Sequence, residues 1–128
     1  MVSGAIQAAK IAARKAIEST YDGVAVVEEY RQVKDEVTKL TNGKPVVVLE
    51  NEPCRLSFER LQIVNQTESA AAVTQTTKLF ISPDIVIKPG SKITVTQAGK
   101  TAEYTYSGVP AVYDTHQEIV LDLFTSWT

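Results

Sequence analysis

The chain has 128 residues, with 13 Lys and Arg against 15 Asp and Glu, one Cys, one His and one Trp. That length suits a single domain whose core folds without metal or disulfide, and Cys54, lacking a partner cysteine, excludes a disulfide framework and a cysteine-based zinc site. A net charge of −2 argues against gripping nucleic acid by phosphate neutralisation, and no apolar run reaches membrane-spanning length.

Val, Ile and Thr supply 39 residues, and β-branched side chains sit well on a pleated surface, so most of the chain is expected to be strand. The exception comes first. Residues 4–19, GAIQAAKIAARKAIES, are Ala-rich and free of Pro, and Ile6, Ala9, Ala13 and Ile17 recur on one helical face. Tyr21-Asp22-Gly23 ends the pattern. Two of the four stripe residues are Ala, so this helix is expected to pack loosely or to dock on a neighbour. Lys10, Arg14 and Lys15 cluster on the remaining face, as a solvated surface or as a contact for an acidic partner. These cations interrupt any signal-peptide core, so the segment reads as part of the mature protein.

Gly23 to Val33 reads as a first strand. Val33, Val37 and Leu40 would then suit a helix closed by Asn42-Gly43, but Asn-Gly is equally a hairpin signal, and a hairpin with its tip near Lys34 to Lys44 is the preferred reading. Pro45 then starts the strongly β run KPVVVLENEPCRLSF, in which Cys54, Leu56 and Phe58 alternate with Arg55, Ser57 and Glu59. Cys54 is expected to face the core as an inert small apolar group. Residues 60–77 show no clear period and read as a long connection, a candidate interaction loop. Beyond it lie a strand at KLFIS, a turn at Pro83-Asp84, and Pro89-Gly90, whose order suits a type II turn. SKITVT and TAEYTY flank Gln97-Ala98-Gly99-Lys100 as a second hairpin, and EIVLDLF is the last strand. The fold expected is mostly β: a small antiparallel barrel or closed sheet with an N-terminal helix and a long interaction loop. It forms one domain over residues 1–128, divided into a helix over 1–20 and a barrel body over 21–128.

Catalytic patterns are scarce. If residues 114–118 are strand, Asp114, His116 and Glu118 share one face, two carboxylates and an imidazole that could ligate zinc or manganese. The chain has no other His, and a polar strand end in which His116 bonds a neighbour is the preferred reading. Phosphate-loop, dinucleotide and nucleophile-elbow motifs are absent, and the paired acids Glu28-Glu29 and Glu50/Glu52 read as solvated faces. No enzyme, metal or cofactor is expected.

The segment LFISPDIVIKPGSKITV, the Tyr-containing hairpin after it and the ending AVYDTHQEIVLDLF resemble, as a unit, small proteins of phage head–tail gene clusters. So does the join of VVVLENEPCRLSF to NQTESAAAVTQTTKLFI. The family is the head-closure (stopper, or head–tail joining) proteins of the neck of long-tailed phages and prophages of Gram-positive bacteria. The resemblance covers residues 21–124 and is strongest over 45–124. It implies a non-enzymatic barrel subunit forming a homo-oligomeric ring that joins the portal to the tail and continues or closes the DNA channel. Its partners would be copies of itself, a portal or adaptor protein, a tail or tail-terminator protein, and DNA passing without sequence-specific binding, with no membrane. Its place would be the virion neck, and the bacterial host cytoplasm during assembly. In such proteins a loop between strands projects into the lumen or onto the next ring; the matching stretch is Asn65 to Gln75, with Asn65, Gln66, Thr67, Glu68, Ser69 and Gln75 as its polar residues. Other expectations kept open are a tail terminator, tail completion or minor capsid protein and, in a different class, a metal-dependent hydrolase or binding module using Asp114, His116 and Glu118.

Overall fold

The Ala-rich start is helical, α1 (Gly4–Glu18), and two side chains help to close it. Ser19 Oγ donates to the carbonyl of Ala16 at 2.6 Å and Thr20 Oγ1 to that of Ile17 at 2.6 Å, occupying carbonyls that the last turn leaves free. The rest is strand: β1 (Gly23–Lys34), β2 (Thr41–Val64), β3 (Ala71–Ile81), β4 (Lys92–Gln97), β5 (Lys100–Thr105), β6 (Ala111–Val112) and β7 (Gln117–Leu123). This computed structural model describes residues 4–64 and 71–127.

All strand pairs are antiparallel, in the order β3-β2-β1-β4-β5-β7-β6. A further pairing of Thr77–Ile81 with Gln117–Leu121 joins β3 to β7 and closes the sheet on itself, leaving β6 on the other edge of β7. The expected closed antiparallel sheet with an N-terminal helix is therefore present. Closure lets one face of the strands in the closed sheet point inward, and Val27, Leu79, Ile81, Ile93, Val95 and Ile119 meet there with Cys54, each of them almost wholly buried. Two side chains from the polar class are built into this shell. Gln117 Nε2 donates to the carbonyls of Ser82 (2.7 Å) and Ile85 (2.6 Å), pinning the loop before β4. Gln97 Oε1 accepts from the Leu56 amide at 2.8 Å while its Nε2 donates to the Leu56 carbonyl.

β2 serves two hairpins in succession. Up to Cys54 it pairs with β1; from Cys54 onward it pairs with β3. Register shifts against β1 between Ala25 and Val27 and between Val27 and Glu28, with Asn51 at φ 53°, bend the strand as it leaves one partner for the other.

Three expectations need correction. The turn joining β1 to β2 is made by Asp35, whose Oδ1 accepts from the amides of Val37 (2.8 Å) and Thr38 (3.2 Å), with Lys39 at φ 60°. Asn42 and Gly43 lie inside β2, opposite Val33 and Gln32. Gly43 has a different use, since a Cβ there would fall 2.3 Å from Tyr30 Cε1: the Tyr30 ring lies across the glycine. Second, the stretch read as a structureless connection is largely a continuous ladder, from Glu59↔Thr76 to Val64↔Ala71. This part of the ladder lies beyond the β3–β7 pairing, so no closed sheet imposes a period-two pattern on its sequence although its backbone is paired. Third, Phe58 continues the alternation of Cys54 and Leu56 yet is half exposed, because its partner Thr77 is where the β3–β7 ladder ends.

The two turn predictions from Pro-Gly and Ala-Gly hold. The Ser91 amide donates to the Lys88 carbonyl at 3.1 Å with Gly90 at φ 84°, the geometry of a type II turn. Ala98 (φ 54°) and Gly99 (φ 76°) make the two-residue link between β4 and β5, whose paired positive angles match the twist of a hairpin.

Candidate interaction surfaces

Two ribbons and a helix leave the closed sheet. The first ribbon is the part of the β1–β2 hairpin beyond Glu28, where the ladder to β4 stops. It carries Tyr30, Val37 and Leu40, all exposed, Val37 to 90% and Leu40 to 62%, and Val47 and Val48 are exposed at its base. The run Val46-Val47-Val48 at its base was a signal in the sequence: consecutive apolar residues on a strand populate both faces, and a strand with one buried face shows at least one of them to solvent. The second ribbon is formed by residues 60–64 and 71–75, beyond the β3–β7 ladder. Of the candidate loop residues, Gln75 is exposed on β3 opposite Arg60; Asn65, Gln66, Thr67, Glu68 and Ser69 lie outside the described residues.

The base of the first ribbon is braced by the chain's C-terminal end. Trp127 packs on Tyr30 at 5.5 Å and edge-on to Phe124 at 4.9 Å, while Lys92 Nζ stands 5.3 Å over the Phe124 ring. A groove of about 720 Å³ runs beside this cluster, lined among others by Arg31, Lys88, Tyr106, Asp122 and Trp127. Pro89 and Gly90 form one of its walls, so the turn singled out in the sequence shapes a surface feature as well as a chain reversal. Sequence reasoning missed this aromatic brace because its members, Tyr30, Phe124 and Trp127, are far apart in the chain and share no period.

The helix face is used within the molecule. Lys10 Nζ meets Asp114 at 2.9 Å. Arg14 Nη2 donates to Asp84 and to Ser82 Oγ, each at 2.8 Å, and its Nε to Glu18 at 3.3 Å. Hydrogen bonds to Asp84 first and Glu18 second raise the Arg14 pKa and keep the guanidinium charged. Lys15 is exposed. No residue of α1 is buried.

The metal hypothesis is not assembled by the fold. Asp114 turns to Lys10, away from the pair that His116 Nε2 makes with Glu118 at 2.9 Å. The other ring nitrogen, Nδ1, meets Thr115 Oγ1 at 2.9 Å, and the imidazole is stacked on Tyr113 at 5.0 Å. With the proton on Nε2 the ring donates to Glu118 and accepts from Thr115, so neither nitrogen is left for a cation. Lys78 approaches the other oxygen of Glu118 at 3.8 Å. Among the described residues no three His, Cys, Asp or Glu side chains group as metal ligands. The Thr115–His116–Glu118 chain has the connectivity of a nucleophile, base and orienting acid, but Thr115 does not line the 350 Å³ groove into which His116 looks with Tyr21, Arg55 and Phe80. Cys54 is equally unsuited to chemistry: burial, then Glu52 and Asp22, push its thiol up to about 12.

No protein-family model matches the chain, and no curated protein does. Among solved structures, the phage-like element PBSX protein xkdH from Bacillus subtilis is similar in fold. Its identity to this chain is 13% and the TM-score 0.47, over 78% of this chain and 91% of that one. At that level of likeness nothing about activity or partners passes between the two. No helix among the described residues is long and apolar enough to cross a membrane.

Proposed function

We propose that the chain is a non-enzymatic structural component of a phage particle, built into the head–tail connector as a homo-oligomeric ring that joins the portal to the tail and continues the DNA channel. The observation that carries this reading is where the exposed apolar side chains lie. Tyr30, Val37 and Leu40 are exposed on a ribbon that leaves the closed sheet, with Val47 and Val48 exposed at its base, whereas a pocket enzyme gathers its apolar and polar groups in a cleft. A small closed sheet with projecting ribbons acts by shape: the sheet supplies rigidity, and the projections supply contact area on neighbouring copies and layers. The sequence resemblance over residues 45–124 favours the neck as the layer. A net charge of −2 fits a conduit that lets DNA slide without holding it.

The test is the particle itself. Mass spectrometry of purified virions is expected to find the protein, and electron microscopy to place it as a ring between portal and tail. Density at the far end of the tail tube or on the capsid lattice would instead favour the tail-completion or minor-capsid reading. Absence from mature particles removes the whole proposal. Elemental analysis of the purified protein addresses the hydrolase alternative: a bound transition metal lost on His116→Ala would favour it.

A further inference from the structure

The docking of α1 raises a question of its own. A helix of 15 residues standing alone is marginal in water, and most helices of this length are held by an apolar face packed on the body. Here no residue of α1 is buried and Ile11 is 53% exposed. Two ion pairs far apart in sequence tie the helix to the body, Lys10 to Asp114 and Arg14 to Asp84, with Ser82 sharing the guanidinium, and half-buried Ile17 lines a shallow groove with Tyr21 and Phe80. The two carboxylates are solvent-accessible, the Asp84 and Asp114 side chains being 74% and 70% exposed, whereas Ser82 is buried. The connection to β1 is the short segment Ser19 to Asp22.

We propose that α1 is an exchangeable arm, whose Lys10 and Arg14 dock on Asp114 and Asp84 of a second copy of this chain. The occupant follows from charge. When α1 swings away on Ser19 to Asp22, it leaves two exposed carboxylates and the Ser82 hydroxyl on the body, and the complementary object is a helix with two cations one turn apart. Every other copy carries that helix. Exchange replaces each ion pair by an identical one, so it loses no contact, and no buried apolar face must first be pulled from water. The exchange links copies head to tail into a closed ring, each donating its helix to one neighbour and receiving one from another, or joins two copies reciprocally as a pair. The inference goes beyond the connector reading and is tested apart from it.

A carbodiimide joins an ammonium to a touching carboxylate with loss of water, and Lys10 and Asp114 are in contact at 2.9 Å. Equal amounts of unlabelled and ¹⁵N-labelled wild-type protein, refolded together at high concentration and treated with the reagent, give Lys10–Asp114 linked peptides for mass spectrometry. Linked peptides with one labelled and one unlabelled half are expected, approaching half of the product if exchange is complete. Linked peptides carrying a single label, or no such link, overturn the proposal. A second measurement uses charge reversal. Chains with Lys10→Glu and Arg14→Glu, or with Asp84→Arg and Asp114→Lys, should each associate less than wild type by light scattering. Their equimolar mixture should regain association; a mixture no more associated than its components overturns the proposal. Single-label links in a protein that electron microscopy places at the neck would remove the exchange and leave the connector reading standing.

Discussion

Val27 and Val37 belong to the same hairpin, yet Val27 is 1% exposed and Val37 is 90% exposed. What differs is the number of strands behind them. Val27 lies where β1 is paired on both edges, to β2 and to β4, and the closed sheet turns its side chain onto Ile93, Val95 and Leu79 in the core. Val37 lies at the tip of a two-stranded ribbon beyond the last β4 pair. Stability therefore resides in the closed part, and the ribbons contribute surface. The sharpest way to break that division is to truncate one residue on each side of it. Leu79→Ala, at a fully buried position, is expected to cost about 2–5 kcal/mol from lost transfer energy and the cavity left behind. Val37→Ala is expected to stay within about 0.5 kcal/mol. Chemical denaturation of both variants checks the pair; comparable losses would mean that the ribbon is part of the cooperative core.

The same division decided how much the sequence disclosed. Wherever one face is buried, alternation wrote the strand into the chain, as in Ile93 and Val95 or Ile119 and Leu121, and the Pro89-Gly90 and Ala98-Gly99 turns were visible from their residue types. Beyond the β3–β7 pairing no closed sheet imposes alternation, and the ladder of residues 60–64 with 71–75 reads as loop in the sequence. The Lys10 and Arg14 face was legible as a cationic cluster; its acids, Asp84 and Asp114, lie far along the chain and only the fold brings them there. The Tyr30–Trp127 brace was hidden for the same reason.

Alkaline pH probes the closed part from another direction. Burial holds the Cys54 thiol protonated up to about 12, against an ordinary value of 9.0. Below pH 9 the folded and unfolded chains are both protonated there and nothing is lost. Between about pH 9 and 12 only the unfolded chain gives up this proton, so stability falls as pH rises, by about 1.4 kcal/mol per unit for one group. Buried Tyr106, whose pKa is also raised by desolvation, adds to the same loss. Cys54→Ala should flatten the decline of the melting temperature above pH 9 relative to wild type, and native Cys54 should resist thiol reagents until the protein unfolds. An unchanged slope would place the alkaline loss elsewhere.

Gly90→Val sets backbone against side chain. There is open space around Gly90, so any cost comes from φ 84°, which a β-branched residue resists. A loss of about 1–2 kcal/mol is expected. His116→Ala should cost less, since its partner Glu118 keeps Lys78 nearby. Equal melting temperatures for Gly90→Val and wild type would refute the turn.

The smallest effects compare a turn of the closed part with the turn at the ribbon tip. Ala98 holds φ 54° in the link between β4 and β5, a strained angle for a residue with a Cβ. Both strands it joins belong to the closed sheet, so strain there is felt in global unfolding. Ala98→Gly relieves it and also loosens the unfolded chain, and a net gain of up to about 1 kcal/mol is expected. Asp35 works at the other turn. Its carboxylate is held below its ordinary pKa by the Val37 and Thr38 amides, so the tip is pinned while the group is ionised and released as pH falls through that lowered value. Because the ribbon opens without the core, Asp35→Ala should leave the melting temperature unchanged while speeding amide exchange around residues 36–40. If Asp35→Ala lowered the melting temperature as much as Ala98→Gly raises it, ribbon and closed sheet would unfold as one unit, and the separation of rigidity from contact surface would fail.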